Sequence, residues 1–290
     1  MSFQKRLNAG EFVVLAEMDT PKGVDISELV ANARRIKGRV DAVVIPDMAN
    51  GVMRMSSLGG GVVMHQQGME AIIHICPRDR NRLSLQGDLL TAHVLGLQHL
   101  LVVDGDDMSL GDHIDAKPVN DLDTLGLLAA VRGLQEGVDL AGIDLRGAPA
   151  FLTGCAMGSW ANDAEFEAQL EKAKAKIKAG ARYVVCPPVF DVEKFSSRLG
   201  RLKELGAPLA PTVFLLKSVG VARYMAVNMP GTGISDDLIK RIRSAPDRVA
   251  ECLRIAGETV AALKGMVQGV YIQTLGWENR LPAILDHAGL

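Results

Sequence analysis

Eight short apolar runs punctuate this chain and alternate with helix-like segments from end to end. The runs are Phe12–Glu17, Ala42–Pro46, Ala71–Cys76, Leu100–Asp104, Ala150–Cys155, Tyr183–Pro187, Thr212–Leu216 and Val270–Thr274. Most are rich in Val, Ile and Leu and lack an alternating polar face, as parallel strands do when both faces are covered. Between them, Glu165–Ala179 sets Phe166, Leu170, Ala173 and Ile177 on a roughly helical period and stops at Gly180. Asp236–Lys264 is interrupted by Pro246 and reads as two helices. Eight β-α pairs predict a (β/α)8 TIM barrel, one domain over residues 1–290. A doubly wound sheet would want a G-x-G-x-x-G turn after an early strand, and none is there. Gly59-Gly60-Gly61 sits in a helix-like stretch and reads as loop rather than phosphate cradle. There is no linker and no internal repeat.

With 48% hydrophobic residues the chain can bury a sizeable core. Its formal net charge of -2 argues against a dedicated nucleic-acid binder or a polybasic membrane anchor, so any phosphate recognition must be local. The start, Met1-Ser2-Phe3-Gln4-Lys5-Arg6, lacks an apolar signal core, and no apolar run reaches membrane-spanning length. A cytoplasmic protein is expected. Cys76, Cys155, Cys186 and Cys252 show no C-x-x-C spacing, which disfavours a zinc ribbon. Three of them fall at predicted strand ends, where they would either meet at the barrel mouth or stay apart as buried apolar thiols; the second reading is favoured.

In a barrel the chemistry collects where strands end. Glu17 ends the first strand behind Val13–Ala16, so lost solvation should raise its pKa and fit it to deliver a proton near neutrality. A salt-bridged or helix-capping carboxylate is the other reading. His74 lies within the third strand, and Arg78, Asp79, Arg80 and Arg82 follow it. Two arginines after a strand suit a pyrophosphate, and they equally suit a solvated surface cluster. The fourth strand ends in Asp104, with Asp106 and Asp107 beyond it. His113, Asp115 and Lys117 lie in a long connection of the kind that covers a cofactor. Lys117 reads evenly as a phosphate contact or an exposed side chain. Tyr271 and Trp277, near the last strand, would stack on a flat ring or serve the core and rim.

Order and spacing carry a resemblance over most of the length. H-x-C-x-R-D-R-N-R-x-x-L-Q-x-D-L-L from His74, a strand ending in Gly105-Asp106, and G-D-H-x-x-A-K-P-V from Gly111 resemble methylenetetrahydrofolate reductases of the short, single-domain bacterial type. So do Leu15–Lys22, Ala179–Asp191 and Gly269–Glu278. The resemblance implies FAD, with NAD(P)H or a partner electron-transfer subunit as electron source, and tetrahydrofolate as substrate. It implies that Glu17 is the general acid that opens the folate methylene bridge and that Asp106 lies by the flavin and pterin. It places His74, Arg78, Asp79, Arg80, Asp104, Lys117 and Lys176 around the flavin, Lys176 matching a phosphate lysine. A helix of alternating Ala and Lys would otherwise be a solvated face. No metal is implied, and a homo-oligomer is expected.

Three departures stand out. A folate-binding glutamine is replaced by Pro187, which has no side-chain hydrogen bond and no N–H. The fifth strand runs T-G-C-A-M-G-S-W, with Cys155 and Trp160 where Pro and His are usual. Asp104 stands where Thr or Arg is usual, and beside a pyrophosphate it would repel unless paired. These departures motivate a flavin-free folate enzyme of methyltransferase type, or a non-catalytic subunit of a one-carbon complex, as alternatives to a flavin-dependent reductase.

Overall fold

The protein's structure, a computed structural model, describes residues 2–229 and 231–290. Its strands are β1 (Val13–Glu17), β2 (Ala42–Ile45), β3 (Ala71–Ile75), β4 (His99–Val102), β5 (Leu152–Ala156), β6 (Tyr183–Pro188), β7 (Leu209–Phe214) and β8 (Gly269–Gln273). All pair in parallel in chain order, and β8 returns to β1, closing an eight-stranded barrel. The helices are α1 (Phe3–Asn8), α2 (Ser27–Ile36), α3 (Ser57–Gln66), α4 (Arg82–Val94), α5 (Thr124–Gln135), α6 (Asp163–Ala179), α7 (Val192–Lys203), α8 (Val219–Asn228), α9 (Asp236–Ser244), α10 (Arg248–Leu263) and α11 (Leu281–His287). The (β/α)8 barrel expected from the apolar runs is therefore the fold. The chain does divide at Pro246, between α9 and α10.

Strand side chains alternate between two cores. Val13, Leu15, Val44, Ile72, Leu101, Tyr183, Val185 and Tyr271 fill the barrel. Val14, Ala16, Val43, Ile45, Ile73, Leu100, Val184 and Ile272 face the helices. Helix α1 closes the N-terminal end with Phe3 and Leu7, and the Phe3 ring meets His99 and Tyr183 edge-on at 5.2 and 5.9 Å. Tyr183 leaves no room beside it: a Cβ on Gly154 would lie 2.2 Å from its ring.

Two expectations change. Strand β7 begins at Leu209, three residues before the expected Thr212, and so includes Pro211. Pro211 sits opposite Cys186, beside a register shift between Cys186 and Pro188, and such an irregularity tolerates the missing N–H. The Gly59-Gly60-Gly61 run is neither loop nor cradle but part of α3. A Cβ on Gly60 would fall 2.7 Å from Ile45 Cγ2, and one on Gly61 2.5 Å from Ile73 Cγ2, so the glycines let α3 lie close on β2 and β3.

Candidate active site

Period-2 alternation aims Glu17, at the end of β1, into the barrel mouth, and β8 closes beside it. Glu17 is 6% exposed. The Tyr271 hydroxyl donates to its Oε2, and Gln273 Nε2 donates to the same oxygen at 2.8 Å. Burial pushes this carboxyl up to about 7; the two hydrogen bonds oppose the rise, while the negative Asp19 and Glu278 reinforce it. Since no cation among the described residues bonds it, the salt-bridged reading of Glu17 falls away. Its hydrogen-bond partners, Tyr271 and Gln273, reach it because they are two apart on the strand that pairs with β1. Sequence reasoning did not single out Gln273. The two-residue spacing and the barrel's closure were the available signals.

His74 enters from β3. Its Nε2 is buried with no hydrogen-bond partner among the described residues, and burial pushes the imidazole down to about 4, so it is neutral. A buried ring nitrogen without a partner costs free energy until something supplies one. Beyond β3, Arg78 is 4% exposed and ties three loops together. It bonds both oxygens of Asp79 (2.7 and 2.8 Å), the Asp106 carbonyl (2.8 Å) and the Met48 carbonyl (3.1 Å). Met48 and Asn50 hold φ of 47° and 55°. The bond from Arg78 to Met48, and that from the Asn50 N–H to Asp106 Oδ2 (2.6 Å), stabilise this strained turn.

Arg80 and Lys176 are also committed. Arg80 reaches Asp47 at 2.7 Å and Asp88 at 3.1 Å, with the Asp47 side chain fully buried. Asp47, at the end of β2, went unnoticed in the sequence although it follows an apolar strand as Glu17 does. Lys176 is 8% exposed rather than on a solvated face. It donates to Asp104 Oδ2 (3.1 Å) and to the Ala156 carbonyl (3.0 Å). The Thr124 hydroxyl also donates to Asp104. Partial burial pushes the Asp104 carboxyl up, but Thr124 and Lys176 together hold it below the usual carboxylate range. The expected repulsion at Asp104 is thus relieved by pairing.

The connection after β4 folds down on the turn after β2. The Met53 N–H donates to Asp112 Oδ1 at 3.0 Å, and a Cβ on Gly111 would lie 1.9 Å from the Gly51 carbonyl oxygen. Asp104, Asp106, Asp107 and Lys117 line a cleft there with Arg78. Lys117 is exposed, as are His113 and Asp115, and the His113 ring lies against Asp112.

Of the readings left open, Tyr271 and Trp277 take the core and rim one, and the cysteines take the favoured one of buried apolar thiols. Tyr271 is buried inside the barrel with its hydroxyl on Glu17, which leaves no face for a stacked ring. Trp277 packs on the outer core, with the Lys217 ammonium 5.2 Å above its ring. The cysteines form no set at the mouth. Cys155 and Cys186 lie in the outer apolar layer, and the Cys76 thiol donates to the Asp104 carbonyl at 3.5 Å. Burial raises the three thiols to about 11, 12 and 12 for Cys76, Cys155 and Cys186. Among the described residues no group of three or more His, Cys, Asp or Glu is placed to hold a metal ion. No helix among them is long and apolar enough to cross a membrane.

A family model described as methylenetetrahydrofolate reductase matches residues 2–289. The chain belongs to the methylenetetrahydrofolate reductase family. Solved structures show the same architecture at low identity. An EDTA monooxygenase from Chelativorans sp. BNC1 is 11% identical, with a TM-score of 0.56 over 95% of this chain and 93% of that one. An F420-dependent secondary alcohol dehydrogenase, solved with an F420-acetone adduct, is 11% identical, with a TM-score of 0.58 over 94% and 99%. A 2,3-dimethylmalate lyase is 13% identical, with a TM-score of 0.52 over 99% and 84%.

The mouth of this family member fits one part of FAD and not the other. The unpartnered Nε2 of His74 suits a flat heterocycle entering the mouth. A diphosphate wants uncommitted cations. Arg78, Arg80 and Lys176 are each held by a carboxylate, and Asp104, Asp106 and Asp107 outnumber Arg78 and Lys117 in the cleft. The diphosphate does not fit.

Proposed function

We propose that this chain is an oxidoreductase that interconverts methylenetetrahydrofolate and methyltetrahydrofolate. The observation that carries the reading is Glu17, a carboxyl at the barrel mouth that burial has brought to about 7. Reduction of the methylene bridge consumes one hydride and one proton. Protonated Glu17 gives its proton to the bridge nitrogen that leaves, the carbon becomes an iminium, and hydride addition makes the methyl group. Tyr271 and Gln273 then stabilise the carboxylate left behind. Asp106 has one oxygen on the Asn50 N–H, and the other accepts from pterin N–H groups. Neutral His74, with its unpartnered Nε2, would contact a ring held in the mouth.

A redox ring bound there would supply the hydride. FAD is the candidate from sequence, but it would sit here by its flavin ring and not by its diphosphate. NAD(P)H or a partner electron-transfer subunit would be the source of its electrons. A flavin-free folate enzyme is the second reading, favoured by the same committed cations.

The test is anaerobic incubation with methylenetetrahydrofolate, NAD(P)H and added flavin, followed by chromatography of the folates. Wild type should form methyltetrahydrofolate, and Glu17→Gln should form it at least about a hundredfold more slowly. Equal rates would remove Glu17 from the chemistry. No product from wild type with any reductant would set aside the reductase reading.

A further inference from the structure

We propose that Asp104 sets which form of the redox ring this mouth accepts, by keeping Lys176 from any incoming phosphate. The inference rests on the reading that a flavin ring binds at the mouth. Lys176 reaches the rim from α6, yet its ammonium is buried and directs two hydrogen bonds to protein atoms, Asp104 Oδ2 and the Ala156 carbonyl. Asp104 is fixed from a third side by the Thr124 hydroxyl, at the first residue of α5. The ends of β4 and β5, the start of α5 and the last turn of α6 therefore share one neutralised ion pair. A phosphate arriving here would have to break that pair and then sit beside the released carboxylate. Arg78 and Arg80 offer no substitute, because each is held by its own carboxylate. Asp106 and Asp107 add negative charge on the approach. Phosphate groups on a flavin consequently contribute little or nothing to its binding here, and the neutral ring contributes most.

Riboflavin, FMN and FAD separate the two contributions, since they share the ring and differ in phosphate. Affinities are read from quenching of flavin fluorescence on titrating the purified full-length chain, with no turnover required. Wild type should bind all three within about threefold of one another. Asp104→Asn keeps the bond to Thr124 and frees Lys176, and should tighten FMN and FAD by about tenfold or more while leaving riboflavin unchanged. Asp104→Thr should act in the same direction. The double variant Asp104→Asn/Lys176→Gln should lose the gain, which shows that it runs through Lys176. Wild type binding FMN or FAD more than about tenfold tighter than riboflavin would overturn the proposal, as would a gain that survives in the double variant. Absence of binding for all three flavins in every protein would overturn the flavin reading itself and the proposal with it, leaving a flavin-free folate enzyme.

Discussion

On the β1–β8 side of the barrel mouth a carboxylate is buried among neutral hydrogen-bond donors; on the β3–β5 side carboxylates are paired with largely buried cations. Glu17, bonded only by Tyr271 and Gln273, rises to about 7 and can carry a proton. Asp104, bonded by Thr124 and Lys176, stays below the usual carboxylate range and carries none. Both lie at strand ends of one barrel. Burial without a countercharge makes a proton carrier, and pairing with a countercharge makes a fixed and electrostatically quiet rim. The paired side pins the loops, and the unpaired side keeps the chemistry.

Breaking a pair on the quiet side should have the largest effect on stability. Arg80→Ala leaves the fully buried Asp47 with only the Ser57 N–H (2.9 Å) and should destabilise the fold by about 3–5 kcal/mol in denaturant unfolding at pH 7. A loss below about 1 kcal/mol would mean that the Asp47–Arg80 pair is not the anchor inferred here. The opposite sign is expected across the mouth. Unfolded Glu17 titrates near 4.5 and folded Glu17 near 7, so between those values the folded protein keeps a proton that the unfolded chain has lost. Its burial therefore lowers stability progressively as the pH rises from about 4.5 to about 7. Glu17→Gln should remove that dependence and be more stable than wild type at pH 8 by on the order of 3 kcal/mol, with little difference near pH 4. Unfolding curves at the two pH values check it. A smaller effect sharpens the contrast. Tyr271→Phe removes the hydrogen bond that most opposes the rise in Glu17, so the alkaline limb of the folate reaction should move to higher pH. A move to lower pH would show that Tyr271 does not act through the carboxylate.

The barrel could be read from the chain because eight non-alternating apolar runs, each buried on both faces, permit few other architectures. Glu17 and His74 could be found by the same logic, being polar residues in or at the end of such runs. What stayed hidden depended on closure and pairing. Gln273 matters only because β8 lies against β1, and no local pattern announces that. Lys176 looked solvated because the apolar stripe of α6 was continued through Ile177, whereas the helix buries Phe166, Leu170, Ala173 and Lys176. One residue along a 3.6-residue period separates the two outcomes, and the carboxylate waiting at Asp104 decides for the lysine. Tyr271 takes the core reading rather than the stacking one for a related reason: its ring is buried in the barrel and its hydroxyl is spent on Glu17.

The pH dependence of methylenetetrahydrofolate reduction under saturating substrate and reductant tests the central claim most directly. Wild type should lose rate above a single apparent pKa near 7, and Glu17→Gln should be slow and flat across the same range. A wild-type rate that is flat from pH 6 to 9, or a Glu17→Gln enzyme that keeps the wild-type profile, would contradict the account.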